Sequence, residues 1–211
     1  ILMNKLSKIK RIIFPSKKIN IFIVIVLLLG VTSGSIFANI IDLNDKNLVI
    51  EKIQTLLSNI DNNNINSLLV FKNSLFTNLT YSLIIYVMGL TVLGVLINIF
   101  ILYIKGFIFG FSLASFIIVY GTKGIMLSIV YTFFGQVLNL IVIMILCIYS
   151  VMYISNVLKQ IFNNKHSLNL LRFFKNYSII FGFSLFITLI SSLNETFLFP
   201  AIIKIIIKLF I

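Results

Sequence analysis

Charge is what this sequence has least of: Asp, Glu, Lys and Arg make up 10% of its 211 residues, where a soluble domain carries about 25%. With so thin a polar coat, a water-soluble globule is excluded. Acid is scarcer than base, five Asp and Glu against seventeen Lys and Arg, and no two acids share an apolar run, so paired-carboxylate chemistry has no carriers. Cys147 is the single cysteine; no disulfide can form within the chain, and its mid-span position reads as a small buried apolar residue. His166 is the single histidine and sits in a basic polar loop, which excludes His-rich metal centres. A phosphate-cradling Gly-rich loop ending in Lys-Ser or Lys-Thr is also missing. These absences imply no enzyme, no metal and no cofactor.

What is present is hydrocarbon. Hydrophobic residues make up 60% of the chain and the mean hydropathy is +1.13. The apolar runs reach the roughly 20 residues needed to cross a bilayer. The expected fold is all-α: a polytopic membrane helical bundle of about five transmembrane helices, with an extracytoplasmic amphipathic helical hairpin. The net charge of +12 would suggest nucleic acid in a soluble protein. Here Lys5, Lys8, Lys10, Arg11, Lys17 and Lys18 precede the first run, and Lys159, Lys165, Arg172 and Lys175 lie between two later ones. Basic clusters flanking spans follow the positive-inside rule. The partner they imply is the lipid bilayer rather than nucleic acid, with anionic lipid favoured at the amino-terminal cluster.

Residues 1–18 read as a basic cytoplasmic arm, and 19–211 as a single membrane domain. The first span, near 19–41, is longer than a signal-peptide core and lacks a small-x-small cleavage site, so it reads as an uncleaved anchor entered from the cytoplasm. The segment 42–80 holds Asp42, Asp45, Glu51 and Asp61, four of the five acids, which places it outside. Within it Val49, Ile53, Leu56, Leu57 and Ile60 recur at helical spacing. Asp61-Asn62-Asn63-Asn64 marks a turn, and Leu68, Phe71, Leu75 and Leu79 form a second apolar stripe.

Residues 81–121 are long enough for two crossings, near 81–103 and 105–121. Their turn falls either near Gly94–Asn98 or at Lys105-Gly106, with Lys105 snorkelling towards the cytoplasm. A short turn at Gly121–Gly124 follows. Residues 125–157 exceed one crossing. A helix broken at Gly135-Gln136, before Asn139, resolves the excess and is preferred to one long tilted helix. The last span lies near 177–192, and the tail 197–211, with Lys204 and Lys208 four apart, suits an interfacial helix.

Few residues could carry more than packing. Gly30 and Gly34, and Gly106 and Gly110, are small-xxx-small pairs that promote helix contact within or between chains, so a homo-oligomer is open. Gln136 and Asn139 read first as hydrogen-bonding glue between helices. As a polar path through a broken helix they would instead suit a small transporter or permease-like component. Glu195, the lone acid outside 42–80, is either solvated at a membrane boundary or pins the tail through hydrogen bonds.

The order of these features resembles the stage II sporulation protein M family of bacterial membrane proteins. The likeness rests on Gly30-x-x-x-Gly34 with Asn39 closing the first span, and on Phe76-x-Asn78 and Gly89-Leu90-x-x-x-Gly94. It continues through Ile104-Lys105-Gly106-x-x-x-Gly110-Phe111 and Asn194-Glu195-x-Phe197-x-x-Pro200. Many members of the wider family carry His-Gly and a nearby Glu in the fourth span. Gly135-Gln136-Val137-Leu138-Asn139 has neither, which resembles the sporulation branch. The resemblance implies a non-enzymatic scaffold in the mother-cell membrane at the septum. There it would anchor two peptidoglycan hydrolases, the sporulation proteins D and P, during engulfment.

Overall fold

The structure is a computed structural model that describes residues 16–163 and 170–210. The basic arm up to residue 15, and Lys165 and His166 of the basic loop, lie outside the described residues. No strand occurs among the described residues. The helices are α1 (Lys17–Ile40), α2 (Leu43–Asp61), α3 (Ser67–Met88), α4 (Val92–Val130), α5 (Val137–Asn163), α6 (Leu170–Leu193) and α7 (Phe199–Phe210). Two π-helical segments, Tyr131–Gln136 and Asn194–Leu198, join α4 to α5 and α6 to α7 without an intervening loop. Among the described residues, five helical stretches are long and apolar enough to cross a membrane. The protein is a multi-pass membrane protein.

α1 and α4 form the tightest pair. Ile23, Gly30, Gly34 and Ala38 make up the buried face of α1, a 3.6-residue stripe, while Ile21, Leu28, Leu29 and Ile36 on its other sides stay exposed, as lipid-facing side chains should. The contact rests on missing side chains. A Cβ on Gly34 would overlap the backbone of Phe107, one on Gly110 would overlap Val31, and one on Gly106 would stand 2.7 Å from the Leu27 carbonyl oxygen. Residues 27 and 31 thus face 106 and 110, so the two helices run parallel. With the backbones this close, Ser33 Oγ lies 2.9 Å from Tyr103 Oη, and Ser35 Oγ donates to the Gly110 carbonyl at 3.1 Å.

α5 fills the centre. Val142, Ile143, Leu146, Cys147, Ile148 and Tyr149 are all buried, with Ile23, Ile85, Leu102 and Tyr177 packed about them. Cys147 is fully buried there, the small apolar role expected of it. Asn98 ties three helices: its amide donates to Ile85 O at 2.9 Å and to Ser150 Oγ at 3.0 Å. Tyr177 Oη donates to the same Ile85 carbonyl at 3.0 Å.

A second core lies at the end away from Lys17. Leu57 and Ile60 of α2 pack on Phe116 and Leu127 of α4 and on Phe199 and Ile203 of α7. Lys204 Nζ donates to Asn63 Oδ1 at 2.6 Å. The tail is therefore docked on α2.

Several boundaries differ from those read in the sequence. The hairpin turn falls at Gly89–Thr91, where Thr91 Oγ1 accepts from Gly94 N and caps α4. Neither Gly94–Asn98 nor Lys105-Gly106 is a turn; α4 runs straight through both, because glycine in an apolar span serves helix contact as readily as a bend. The second stripe of the 42–80 segment is the first half of α3, continuous with the span, so the outer hairpin has one separate helix, α2. The chain does reverse at Gly121, whose φ of 57° and ψ of −129° belong to glycine alone. Beyond it Gly124 packs against the Phe116 backbone. The interruption before Gln136 exists as a widened π turn, so the backbone keeps its hydrogen bonds where an unwound break would lose them.

Candidate functional site

Lys105 stands thirteen residues beyond Val92 and Ser74 fourteen before Met88. At 1.5 Å per residue both lie about 20 Å from the α3–α4 turn, some two thirds of the way across a hydrocarbon layer about 30 Å thick. At this depth the bundle opens a polar cavity of about 350 Å³. Asn73, Ser74, Thr77 and Asn78 line it from α3, Lys105 from α4, and Asn139 from α5. The π segments contribute Gln136 and Glu195.

The π geometry explains the last two. Pro200 has no N–H to offer the carbonyl one turn back, and its ring crowds that carbonyl. The Asn194–Leu198 segment widens ahead of it and turns Glu195 inward. In the other segment, Gln136 lies five residues after Tyr131, one π turn, and its Nε2 donates to Tyr131 Oη at 3.2 Å. Tyr131 packs between Phe116, its ring tilted 5.1 Å away, and Phe199, edge-on 5.5 Å away, so the chamber wall is keyed to the outer core.

Lys105 and Glu195 do not close on each other as an ion pair. The Lys105 ammonium lies 3.6 Å from the Tyr81 ring centroid, a cation–π contact. The Glu195 carboxylate accepts from Ser74 Oγ, which in turn accepts from Asn78 Nδ2 at 3.2 Å and lies 3.3 Å from Ser192 Oγ. Lys105 is therefore not snorkelling to the cytoplasmic surface: it is held deep, facing a polar space. Glu195 is partly buried rather than solvated, and its bond to Ser74 fastens the start of the tail to α3.

The sequence candidates fall into two places. Gly30, Gly34, Gly106 and Gly110 meet in the α1–α4 seam, while Lys105, Gln136, Asn139 and Glu195 meet at the chamber. Pro200 lines a neighbouring cavity of about 500 Å³ that shares Val70 and Glu195 with the chamber. Asn39 joins neither; it is exposed and donates to Ser35 O within its own helix. Sequence reasoning overlooked Asn73, Ser74 and Thr77. Asn73 reads in the sequence, with Lys72 and Asn78, as the polar side of an outer-loop helix, and Ser74 and Thr77 carry no signal of their own; only the continuity of that helix with the span from Tyr81 onwards could have revealed the three as chamber lining. Among the described residues, no three His, Cys, Asp or Glu side chains converge.

The profile of the stage II sporulation protein M family matches residues 23–200. The chain belongs to that family. No curated protein and no solved structure matched it. The family match begins inside α1 and ends at Pro200, so it takes in the glycine seam, the chamber and the first turn of the tail. Membership makes this a sporulation-related membrane protein.

Proposed function

We propose that this protein is a non-enzymatic membrane scaffold that anchors peptidoglycan hydrolases at the septum during engulfment. The family supports the setting. The observation that carries the reading is the outer layer of α2 and α7, which packs with α4 into a second core apart from the main one. Lys17, Lys18, Lys159, Arg172 and Lys175 mark one end of the bundle, and Asp42, Asp45, Glu51 and Asp61 the other. Under the positive-inside rule the amino terminus is cytoplasmic and α2 faces the wall compartment. There α2 and α4 border an apolar groove of about 310 Å³ lined by Leu48, Val49, Ile53, Leu56, Phe111 and Phe116. Leu48, in that lining, is 57% exposed, and Leu43, five residues earlier on α2, is 78% exposed. Apolar surface of this kind marks interaction sites.

The test is co-purification with a hydrolase partner. The substitutions must spare Leu57 and Ile60, which hold α2 to α7. Leu43→Ser with Leu48→Ser, in protein still inserted in the membrane, is expected to lose the partner. Undiminished capture would refute the surface. A transport role is the competing reading, favoured by the polar chamber. Solute flux in reconstituted vesicles, abolished by Gln136→Leu and Asn139→Leu, would replace the scaffold with a transporter.

A further inference from the structure

An ammonium and a carboxylate inside a membrane bundle are expensive, and their usual resolution is direct pairing. Here each is engaged on one side and open on the other. Lys105 rests on the Tyr81 ring, a contact that uses none of its three donors in a conventional hydrogen bond. Glu195 takes one hydroxyl from Ser74, and a carboxylate has about four acceptor positions. Both line the same space of about 350 Å³, enough for roughly ten waters at about 30 Å³ each, and so for a small polar solute or a head group.

The charge pattern selects the ligand. A simple anion would satisfy Lys105 and leave Glu195 facing it; a simple cation would do the reverse. A molecule with an ammonium at one end and an anionic oxygen group at the other satisfies both at once. The amides of Asn78, Gln136 and Asn139 can bond the body between. Entry has a route: Glu195 also lines the adjoining cavity of about 500 Å³, whose wall includes Thr55, Asn59 and Asn64 of the outer layer.

We propose that the chamber binds a small zwitterion of the phosphoethanolamine type, its ammonium on Glu195 and its anionic oxygens on Lys105. The group arrives as a free solute or as the head of a phospholipid. The site is independent of hydrolase anchoring, since none of its residues lies in the α2–α4 groove.

The experiment is equilibrium binding to the purified full chain in detergent, with four probes. They are free phosphoethanolamine, short-chain phosphatidylethanolamine, and two analogues with charge of one sign only, ethylamine and methyl phosphate. Saturable binding of phosphoethanolamine identifies a solute site. Binding of the lipid form alone identifies a head-group site. In either case Glu195→Gln and Lys105→Met should each weaken binding by about tenfold to a hundredfold, the loss of one charge-assisted contact. Ethylamine or methyl phosphate binding the unaltered protein as tightly as the zwitterions would overturn the proposal, as would no saturable binding by any probe. That comparison needs no variant, so it stands even where a substitution prevents folding.

Discussion

Replacing Gly34 by alanine adds one methyl group at the narrowest point of the α1–α4 seam, and the structure sets what it costs. The new carbon would overlap the carbonyl of Phe107, which is backbone and cannot rotate away. The helices must part, and ordinary contact resumes only at about 3.4 Å. Forced overpacking of this kind costs about 2 kcal/mol. Parting also stretches the Ser33–Tyr103 and Ser35–Gly110 hydrogen bonds, worth about 0.6 kcal/mol each within a membrane. Against this, alanine is the better helix former by about 1 kcal/mol. The net is a loss of about 2 kcal/mol, or about thirtyfold in the unfolding equilibrium. Gly182 is the control, because it lies in α6 with nothing within 4 Å of an added Cβ. There only the propensity acts, and Gly182→Ala is expected to be neutral or to stabilise by up to about 1 kcal/mol. Reversible unfolding in mixed micelles measures both. Equal stability of the two variants would refute close backbone packing as the reason for the glycines.

Gly121→Ala meets no neighbouring atom, yet is expected to cost about 1–3 kcal/mol in the same assay, because alanine is strained at φ 57° and ψ −129°. Asn98→Leu should be mild, about 1 kcal/mol or less. The Ile85 carbonyl it leaves keeps bonds from Gly89 N and Tyr177 Oη, and the substitution also removes a buried amide oxygen that has no partner. A loss of several kcal/mol would mean that Asn98 holds the bundle by itself.

Much of this architecture is legible in the sequence because one physical requirement dominates it. Apolar runs of bilayer length can do little else, so the number of spans follows from them, and the sequence already sets four of the five acids apart from the basic clusters. The glycine pairs also point correctly to a seam, since only glycine admits backbone contact. The turn of the second hairpin is harder to place. Gly94, Gly106 and Gly89 look alike in a row of apolar residues, and what separates them is the Thr91 cap and the helix each one faces. The chamber is harder still. Its polar lining comes from four separated stretches, and two of them are aimed inward by π turns that leave no local signature beyond Pro200 in one and Gly135 in the other. Lys105 illustrates the difficulty: the same lysine reads as a snorkelling residue until Tyr81, Ser74 and Glu195 are brought round it by the fold.

The orientation of the bundle underlies the scaffold reading, and single-cysteine labelling in intact cells tests it most directly. Cys147 is fully buried and should remain silent, leaving Asn62→Cys, beside the α2–α3 turn, and Thr91→Cys, at the α3–α4 turn, as reporters. A membrane-impermeant maleimide should label Asn62→Cys in whole cells and Thr91→Cys only after lysis. Labelling of Thr91→Cys in whole cells, with Asn62→Cys protected until lysis, would place the acid-rich layer in the cytosol and contradict the account.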